Sequence, residues 1–269
     1  MRVMTFEEVK SVELEVLQYV SDYCDKNNLQ YYLAYGTLIG AVRHKGFIPW
    51  DDDIDIWMPR EDYNRIVNEF NNNPSHYRLI SPTDKISRHS FVKIIDVRTV
   101  KIESNVSYTN GYLGIDIDIF PLDGQPDDDT TYSLWYENLQ KKYRLYPFTI
   151  AQKMSNYVKT FMVKIVNLGD ILKKFILNST RKLHLKYPYN TSNYVGTIES
   201  CYNSKNNRFK KEWFSEHVLL DFEGRKFKVP VGYHDVLTKI YGDYMKLPPK
   251  EQQITHHSNN NYWKEESDE

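Results

Sequence analysis

Phe47-Ile48-Pro49-Trp50-Asp51-Asp52-Asp53-Ile54-Asp55-Ile56-Trp57 places four carboxylates within five positions. The alternation of Asp53, Ile54, Asp55 and Ile56 predicts a β-strand over residues 53–57, because strand side chains point to opposite faces with period two. Asp53 and Asp55 then share one face while Ile54 and Ile56 enter a core. Two carboxylates so close repel each other. A divalent cation between them relieves the repulsion, and hard oxygen ligands suit Mg²⁺ or Mn²⁺. The plain alternative is an acidic loop that only solvates itself.

Upstream, Tyr35-Gly36-Thr37-Leu38-Ile39-Gly40-Ala41-Val42-Arg43-His44-Lys45-Gly46 feeds a Gly-Thr turn into an apolar helical start. Backbone N–H groups at such a turn, helped by the helix dipole, can meet phosphate oxygens at Gly36 and Thr37. Arg43, His44 and Lys45 add positive charge before the acidic strand. The structural alternative is a helix start capped by Thr37. Downstream, Asp116 and Asp118 again alternate with apolar residues in Leu113-Gly114-Ile115-Asp116-Ile117-Asp118-Ile119-Phe120-Pro121, with Pro121 expected to end the run.

The order Gly-Thr, short helix, then hydrophobic–Asp–hydrophobic–Asp resembles the nucleotidyltransferase superfamily of the DNA polymerase β type. Tyr31 to Ile56 is similar, more narrowly, to the signature of the LicD family, bacterial phosphocholine transferases related to fukutin and fukutin-related protein. Phe91 to Thr99, Asp118 to Gly124, and Phe222-Glu223-Gly224 through Pro249 and His256 agree with it in order. The resemblance implies that Asp53 and Asp55 hold the metal, that Asp51 or Asp52 completes its shell through water, and that a third carboxylate lies on a neighbouring strand. Asp118 is the choice for it and Asp116 the fallback. It further implies transfer of phosphocholine from CDP-choline to a sugar hydroxyl of a cell-surface glycan precursor, such as teichoic acid, with release of CMP. Asp118 would orient that hydroxyl and accept its proton, or bind a second metal. CDP-ribitol and CDP-glycerol are the alternative donors. A true nucleotidyltransferase releasing pyrophosphate, and a glycan-binding module without activity, are the alternatives of other classes. The zinc-binding cysteine set that animal relatives can carry is not found here.

Composition sets outer bounds. With 269 residues, 41% of them hydrophobic, the chain can bury a sizeable core. The mean hydropathy of −0.63 is polar, and 22 tyrosines explain part of that by supplying buried area with a polar tip. A net charge of −1 exerts no global pull on nucleic acid. Two cysteines, Cys24 and Cys201, make neither a disulfide framework nor a zinc cluster and fit a reducing cytoplasm. Met1 to Lys10 is polar and reads as no secretory leader, and no stretch reaches a membrane span. The acceptor is therefore expected on the cytoplasmic side, lipid-linked at the inner face of the membrane.

Along the chain, Thr5-Phe6-Glu7-Glu8 has the form of a capping box and opens an amphipathic helix over 6–26. Strands are expected at 30–35, 53–57, 77–81, 90–97 and 113–119, and a helix at 59–70. Residues 130–186 read as helical with a break near Tyr146-Pro147. Residues 187–210 read as a loop or a pair of short strands, 222–230 as a hairpin and 232–241 as a last helix. The tail after Asn259 is expected to fray. Within 153–182, Met154, Val158, Phe161, Ile165, Leu168, Leu172, Phe175 and Ile176 share one helical face, and Lys159, Lys164, Lys173, Lys174, Arg181 and Lys182 lie mostly on the other. Such a helix either packs on the core or lies on an anionic membrane. Lys93 either neutralises donor phosphate or is a surface residue. Glu223 and His256 are candidate substrate-binding positions of unassigned role.

The expected fold is α+β: a nucleotidyltransferase-like mixed β-sheet core over 1–125 with a mainly helical, acceptor-side region over 126–269, packed on the core or continuous with it.

Overall fold

Thr5 Oγ1 accepts a hydrogen bond from Glu8 N (3.2 Å) and Glu8 Oε2 accepts one from Thr5 N (2.8 Å), which is the reciprocal capping box. Helix α1, Phe6–Lys26, follows from it. The computed structural model describes residues 1–87, 89–103, 113–146, 166–199, 204–255 and 259–265. Val9, Val12, Val16, Leu17 and Val20 recur at helical spacing and are all buried in the main core. Fully burying each such side chain contributes about 1.5–3 kcal/mol.

The chain then forms β2 (Tyr32–Leu33) and a short helix α2 (Tyr35–Ile39) that loosens into a π-turn over Gly40–His44. Strand β3 covers Asp55–Pro59 and helix α3 Arg60–Glu69. Strands β4 (Tyr77–Ile80), β5 (Val92–Glu103) and β6 (Leu113–Gln125) complete the first half. Helices α4 (Asp129–Tyr143) and α5 (Val166–His184) come next. Strands β7 (Tyr194–Gly196) and β8 (Phe209–Lys210) pair with each other, so 187–210 does hold two short strands. The hairpin β9 (His217–Phe222) and β10 (Arg225–Pro230) turns at Glu223 and Gly224, both with positive φ, as a primed two-residue turn requires. Helix α6 (Tyr233–Tyr241) and strand β11 (Asn259–Trp263) end the described chain, and β1 is Arg2–Val3.

The main sheet has the order β1-β11-β5-β6-β3-β2, with β4 on β5, β7 on β6 and β8 on β7. It is mixed: β3 and β6 run parallel, while β5 and β6 run antiparallel. The fold is α+β.

Four sequence expectations change. Strand β3 starts at Asp55, so Asp53 lies in the loop before it. The ladder with β6 begins at Asp55 opposite Asp118 and that with β2 covers only Ile56 and Trp57, so Asp53 has no strand residue to pair with. Strand β6 continues through Pro121 to Gln125. Its ladder with β5 has already ended at Val92–Ile119, so the missing proline N–H is not required there. The tail does not fray at Asn259, because β11 is held between β5 and β1 and Trp263 packs under Arg98. Finally, Lys173 is buried on α5 while Phe175 is 68% exposed. Lys173 Nζ donates to the carbonyls of Asp84 (2.7 Å) and Ser87 (2.8 Å). These bonds turn the helix so that Phe175 leaves the core. The part of the basic helix from Met154 to Ile165 lies outside the described residues.

Trp57 on β3 anchors the centre of the core, ringed by Tyr35 (4.8 Å), Phe209 (5.7 Å) and Phe214 (6.0 Å). A second cluster of Tyr132, Trp135, Leu139, Tyr143 and Ile198 joins α4 to the segment after β7.

Candidate active site

The parallel register sets the site. Asp55, the first residue of β3, pairs with Asp118 on β6, and Asp118 N donates to the Ile54 carbonyl at 2.9 Å. Two carboxylates from strands distant in sequence are thereby fixed side by side. Thr37 Oγ1 accepts from Asp55 N at 2.9 Å, so the Gly-Thr helix latches the start of the acidic strand. A Cβ on Gly36 would lie 2.5 Å from Asp51 Oδ2, so glycine is needed for the Asp51 carboxylate to approach. Tyr35, at φ 45°, holds a left-handed backbone just before Gly36, and non-glycine strain of that kind clusters at functional sites.

Burial pushes the Asp55 carboxyl well above its ordinary range, and Asp53, Asp118 and Asp51 reinforce the shift against Lys93. Asp118 is also raised by burial, with Lys93 opposing. Groups in this state call for a proton or a cation. Asp51, Asp53, Asp55 and Asp118 offer carboxylate oxygens, the ligand type that could hold Mg²⁺ or Mn²⁺, whereas the group whose ligand atoms lie within 4.8 Å of one another among the described residues is Asp123, His184 and Glu199.

Lys93 faces Asp118 across the ladder and is ion-paired to it and to Asp116, at 2.5 Å from Asp116 Oδ2. Lys101 reaches the other oxygen of Asp116 at 2.7 Å, past a register shift in β5 between Asp96 and Lys101. Burial opposes the charge on Asp116, yet the two lysines outweigh it and hold its carboxyl well below the usual range.

Arg43 and His44 lie together, with Arg43 Nε donating to His44 Nε2 at 2.9 Å and Arg43 Nη1 to the Tyr244 carbonyl at 2.6 Å. His44 also meets Trp50 edge-on at 6.4 Å. Glu223 Oε1 accepts from Phe47 N at 3.0 Å and lies over Gly46, so it braces the loop leading into the acidic stretch. His256 lies outside the described residues.

Residues that pattern reading passed over also converge here. Glu13, 1% exposed, interrupts the apolar stripe of α1, and its position between Val9, Val16 and Leu17 is a signal visible in the sequence. Tyr241 is 44% exposed as a residue; burial of its hydroxyl end and then Tyr35 and Asp55 push that hydroxyl above its ordinary value, with Asp51 and Asp53 adding to the shift.

A second buried set lies on β6, α5 and the segment after β7. Arg60 donates two hydrogen bonds to Asp123, 2.6 Å to each oxygen, and makes a longer contact to Glu199 at 3.3 Å. Asp123, His184 and Glu199 each offer a ligand atom within 4.8 Å of the others, a set that can hold a metal ion. Arg60 already supplies positive charge there. A cavity of 1110 Å³ opens at the far end of β3, between Pro59, Asp62, Tyr189 and Phe214, away from the carboxylates.

Residues 28–158 match the family described as LicD/FKTN/FKRP, nucleotidyltransferase domain. The chain is 35% identical over 266 residues to the lipopolysaccharide cholinephosphotransferase LicD of Haemophilus influenzae, covering 96% of this chain and 97% of that protein. It is 40% identical over 48 residues to the ribitol 5-phosphate transferase FKRP of Homo sapiens, 18% of this chain and 10% of that protein. An uncharacterised protein of Rickettsia prowazekii is 60% identical over 37 residues, 14% of each chain. Carboxylates brought into register behind a Gly-Thr helix, together with similarity along almost the whole length, make this chain a member of the LicD family.

Proposed function

We propose that the protein is a Mg²⁺-dependent phosphotransferase that moves phosphocholine from CDP-choline to a sugar hydroxyl of a cell-surface glycan precursor, releasing CMP. The observation that carries this reading is the pairing of Asp55 with Asp118 in a chain similar end to end to a cholinephosphotransferase. Asp53, Asp55 and Asp118 hold the cation, with Asp51 at its edge. When bound, the cation neutralises charge that develops on the donor diphosphate. Gly36, Thr37, Arg43 and His44 form the phosphate side. Asp118 orients the sugar hydroxyl and takes its proton, or it binds a second metal. Tyr241 supplies an aromatic face of the kind a quaternary ammonium requires.

Ribitol phosphate is the second reading, supported by the match to the ribitol 5-phosphate transferase. A lipid-linked acceptor at the inner face of the membrane fits the outer side of α5, where Ile171 and Phe175 are exposed beside Lys174, Arg181 and Lys182. Among the described residues no helix is long and apolar enough to cross a membrane.

The test is incubation with Mg²⁺ and CDP-choline, CDP-ribitol or CDP-glycerol, and separately with CTP. CMP from CDP-choline, without pyrophosphate from CTP, is expected. Asp55→Asn should lower turnover about 10²-fold or more, the size of a lost charge-stabilising group, while the thermal melt holds. Pyrophosphate release, with the nucleotide left on the acceptor, would replace the proposal with nucleotidyl transfer.

A further inference from the structure

Strands β3, β6 and β5 set out two rows of side chains on one face of the sheet. Asp55, Asp118 and Lys93 are cross-strand neighbours and make a charged row. Phe120 comes two residues further along β6, and so on the same face. Its partner on β3 is Trp57. Phe91, immediately before β5, lies beside it on the other flank: Val92 pairs with Ile119, and the ring centroids of Phe91 and Phe120 are 4.5 Å apart. Trp57, Phe120 and Phe91 are thus an aromatic row, roughly 6–7 Å from the charged row at the rise of a strand.

The two ends of the aromatic row differ. Trp57 is fully buried against Tyr35, Phe209 and Phe214. Phe91 and Phe120 stay half-buried. Tyr35 meets Phe120 edge-on, 5.6 Å between centroids at 90°, and fixes its orientation from the side of the Gly-Thr helix. A half-buried aromatic ring is ordinary by itself. What sets this pair apart is its register with Asp55, Asp118 and Lys93.

Charge limits what can lie on these rings. Lys93 Nζ stands 5.6 Å from the Phe91 centroid while it is ion-paired to Asp116 and Asp118. The negative face of the ring is already shared with one cation, and a quaternary ammonium placed there would meet that charge. An uncharged planar heterocycle meets no such repulsion and stacks on aromatic rings of any base-binding protein. In a CDP-linked donor that heterocycle is the cytosine, and one ribose separates it from the phosphates.

We propose that Phe91 and Phe120 are the stacking platform for the cytosine base of the donor. The base lies on the two rings, the ribose crosses the step between the rows, and the diphosphate reaches the end that holds Asp55 and Asp118. The alcohol then leaves on the side away from the phenylalanines. This assignment rests on the proposed CDP-linked donor, and it fixes which side of the carboxylates takes the nucleoside.

The test is calorimetric titration of CMP and of CDP-choline, with Mg²⁺ and without acceptor, into wild type, Phe91→Leu, Phe91→Tyr and Phe120→Leu, with a thermal melt of each. Leucine keeps an apolar side chain and removes the ring face. Phe91→Leu should weaken both ligands by a similar factor of about 5–150, the worth of one base stacked on an aromatic ring. Phe91→Tyr should restore both affinities. Phe120→Leu should act in the same direction as Phe91→Leu, and because Phe120 also packs on the core its melt is read beside its affinity. Wild-type CMP affinity in a folded Phe91→Leu overturns the platform. Loss for CDP-choline with CMP unaffected also overturns it, because the rings would then serve the alcohol. Either result leaves the donor reading standing, since CMP release from CDP-choline is measured separately. If wild type binds neither ligand, the cytidine donor falls and the platform with it.

Discussion

Asp116 and Asp118 stand two residues apart on β6, on the same strand face, with opposite electrostatics. Asp116 has two lysines and is held well below the usual carboxylate range. Asp118 has only a share of Lys93, and burial raises it. Asp116→Asn therefore strands two lysines short of a counter-charge, a loss on the order of 3–5 kcal/mol for a broken buried pair. Asp118→Asn removes a charge the site disfavours, so its melt should stay near wild type while transfer falls about 10²–10⁴-fold, the loss expected for a missing general base. Thermal melts and CMP release on both proteins decide this. A stable, inactive Asp116→Asn beside an active Asp118→Asn would reverse the roles. Either aspartate could be picked out from the alternation of 113–119, since both match it equally. What separates them is the lysine on each side, and Lys101 reaches Asp116 only because β5 shifts register after Asp96. Nothing local in the sequence shows that shift.

Helix α5 shows how one polar contact sets the orientation of an element. Lys173 caps the carbonyls of Asp84 and Ser87 from inside the molecule. Lys173→Met should destabilise the protein by about 2–3 kcal/mol, in the range of hydrogen bonds from a charged donor, measured by urea denaturation. Lys174→Glu with Lys182→Glu touches only exposed positions and should leave that midpoint unchanged. The double variant should bind anionic liposomes less well than wild type at low salt, and the difference should shrink as exposed charges are screened over about 8–10 Å near physiological ionic strength. If wild type does not co-sediment with such liposomes even at low salt, the outer side of α5 is an ordinary solvated face. The amphipathic period of this segment was legible, as were the capping box of α1 and the hairpin at Glu223-Gly224. Its rotation was not, because a lysine with a long apolar stem can enter a core when carbonyl groups wait there. The start of β3 was misplaced for a related reason: alternation gives the period of a strand but not the residue at which pairing begins.

Across the whole molecule, the network of Arg60, Asp123, His184, Glu199 and Tyr143 ties α3, β6, α5, α4 and the segment after β7 into one unit. The sequence placed Asp123 only within the family-like stretch Asp118 to Gly124 and gave it no partner, since its partners lie 61 or more residues away by number and meet through the sheet. All five members are shifted from their ordinary values, and His184 and Glu199 are the two that bear on stability near neutral pH. Burial lowers His184 from 6.5 to about 4, with Asp123 opposing. Burial raises Glu199 from 4.5 to about 8, with Arg60 opposing. The signs follow from proton counts in the folded and unfolded chains. Between about pH 4 and 6.5 the unfolded chain holds the His184 proton and the fold does not, so that contribution to stability is lost as pH falls. Between about pH 4.5 and 8 the fold holds the Glu199 proton and the unfolded chain does not, so that contribution is lost as pH rises. The two oppose each other up to about pH 6.5, and above it Glu199 acts without His184. Wild type should therefore lose stability from pH 6.5 to 8 with a contribution from Glu199 of at most about 1.4 kcal/mol per pH unit, the limit for one proton. Glu199→Gln keeps an oxygen for Tyr143 and has no proton to lose, so its decline over the same interval should be shallower. Urea midpoints of both proteins across that interval measure the difference. Equal declines would mean that Arg60 keeps Glu199 ionised in the fold and that the guanidinium outweighs burial there.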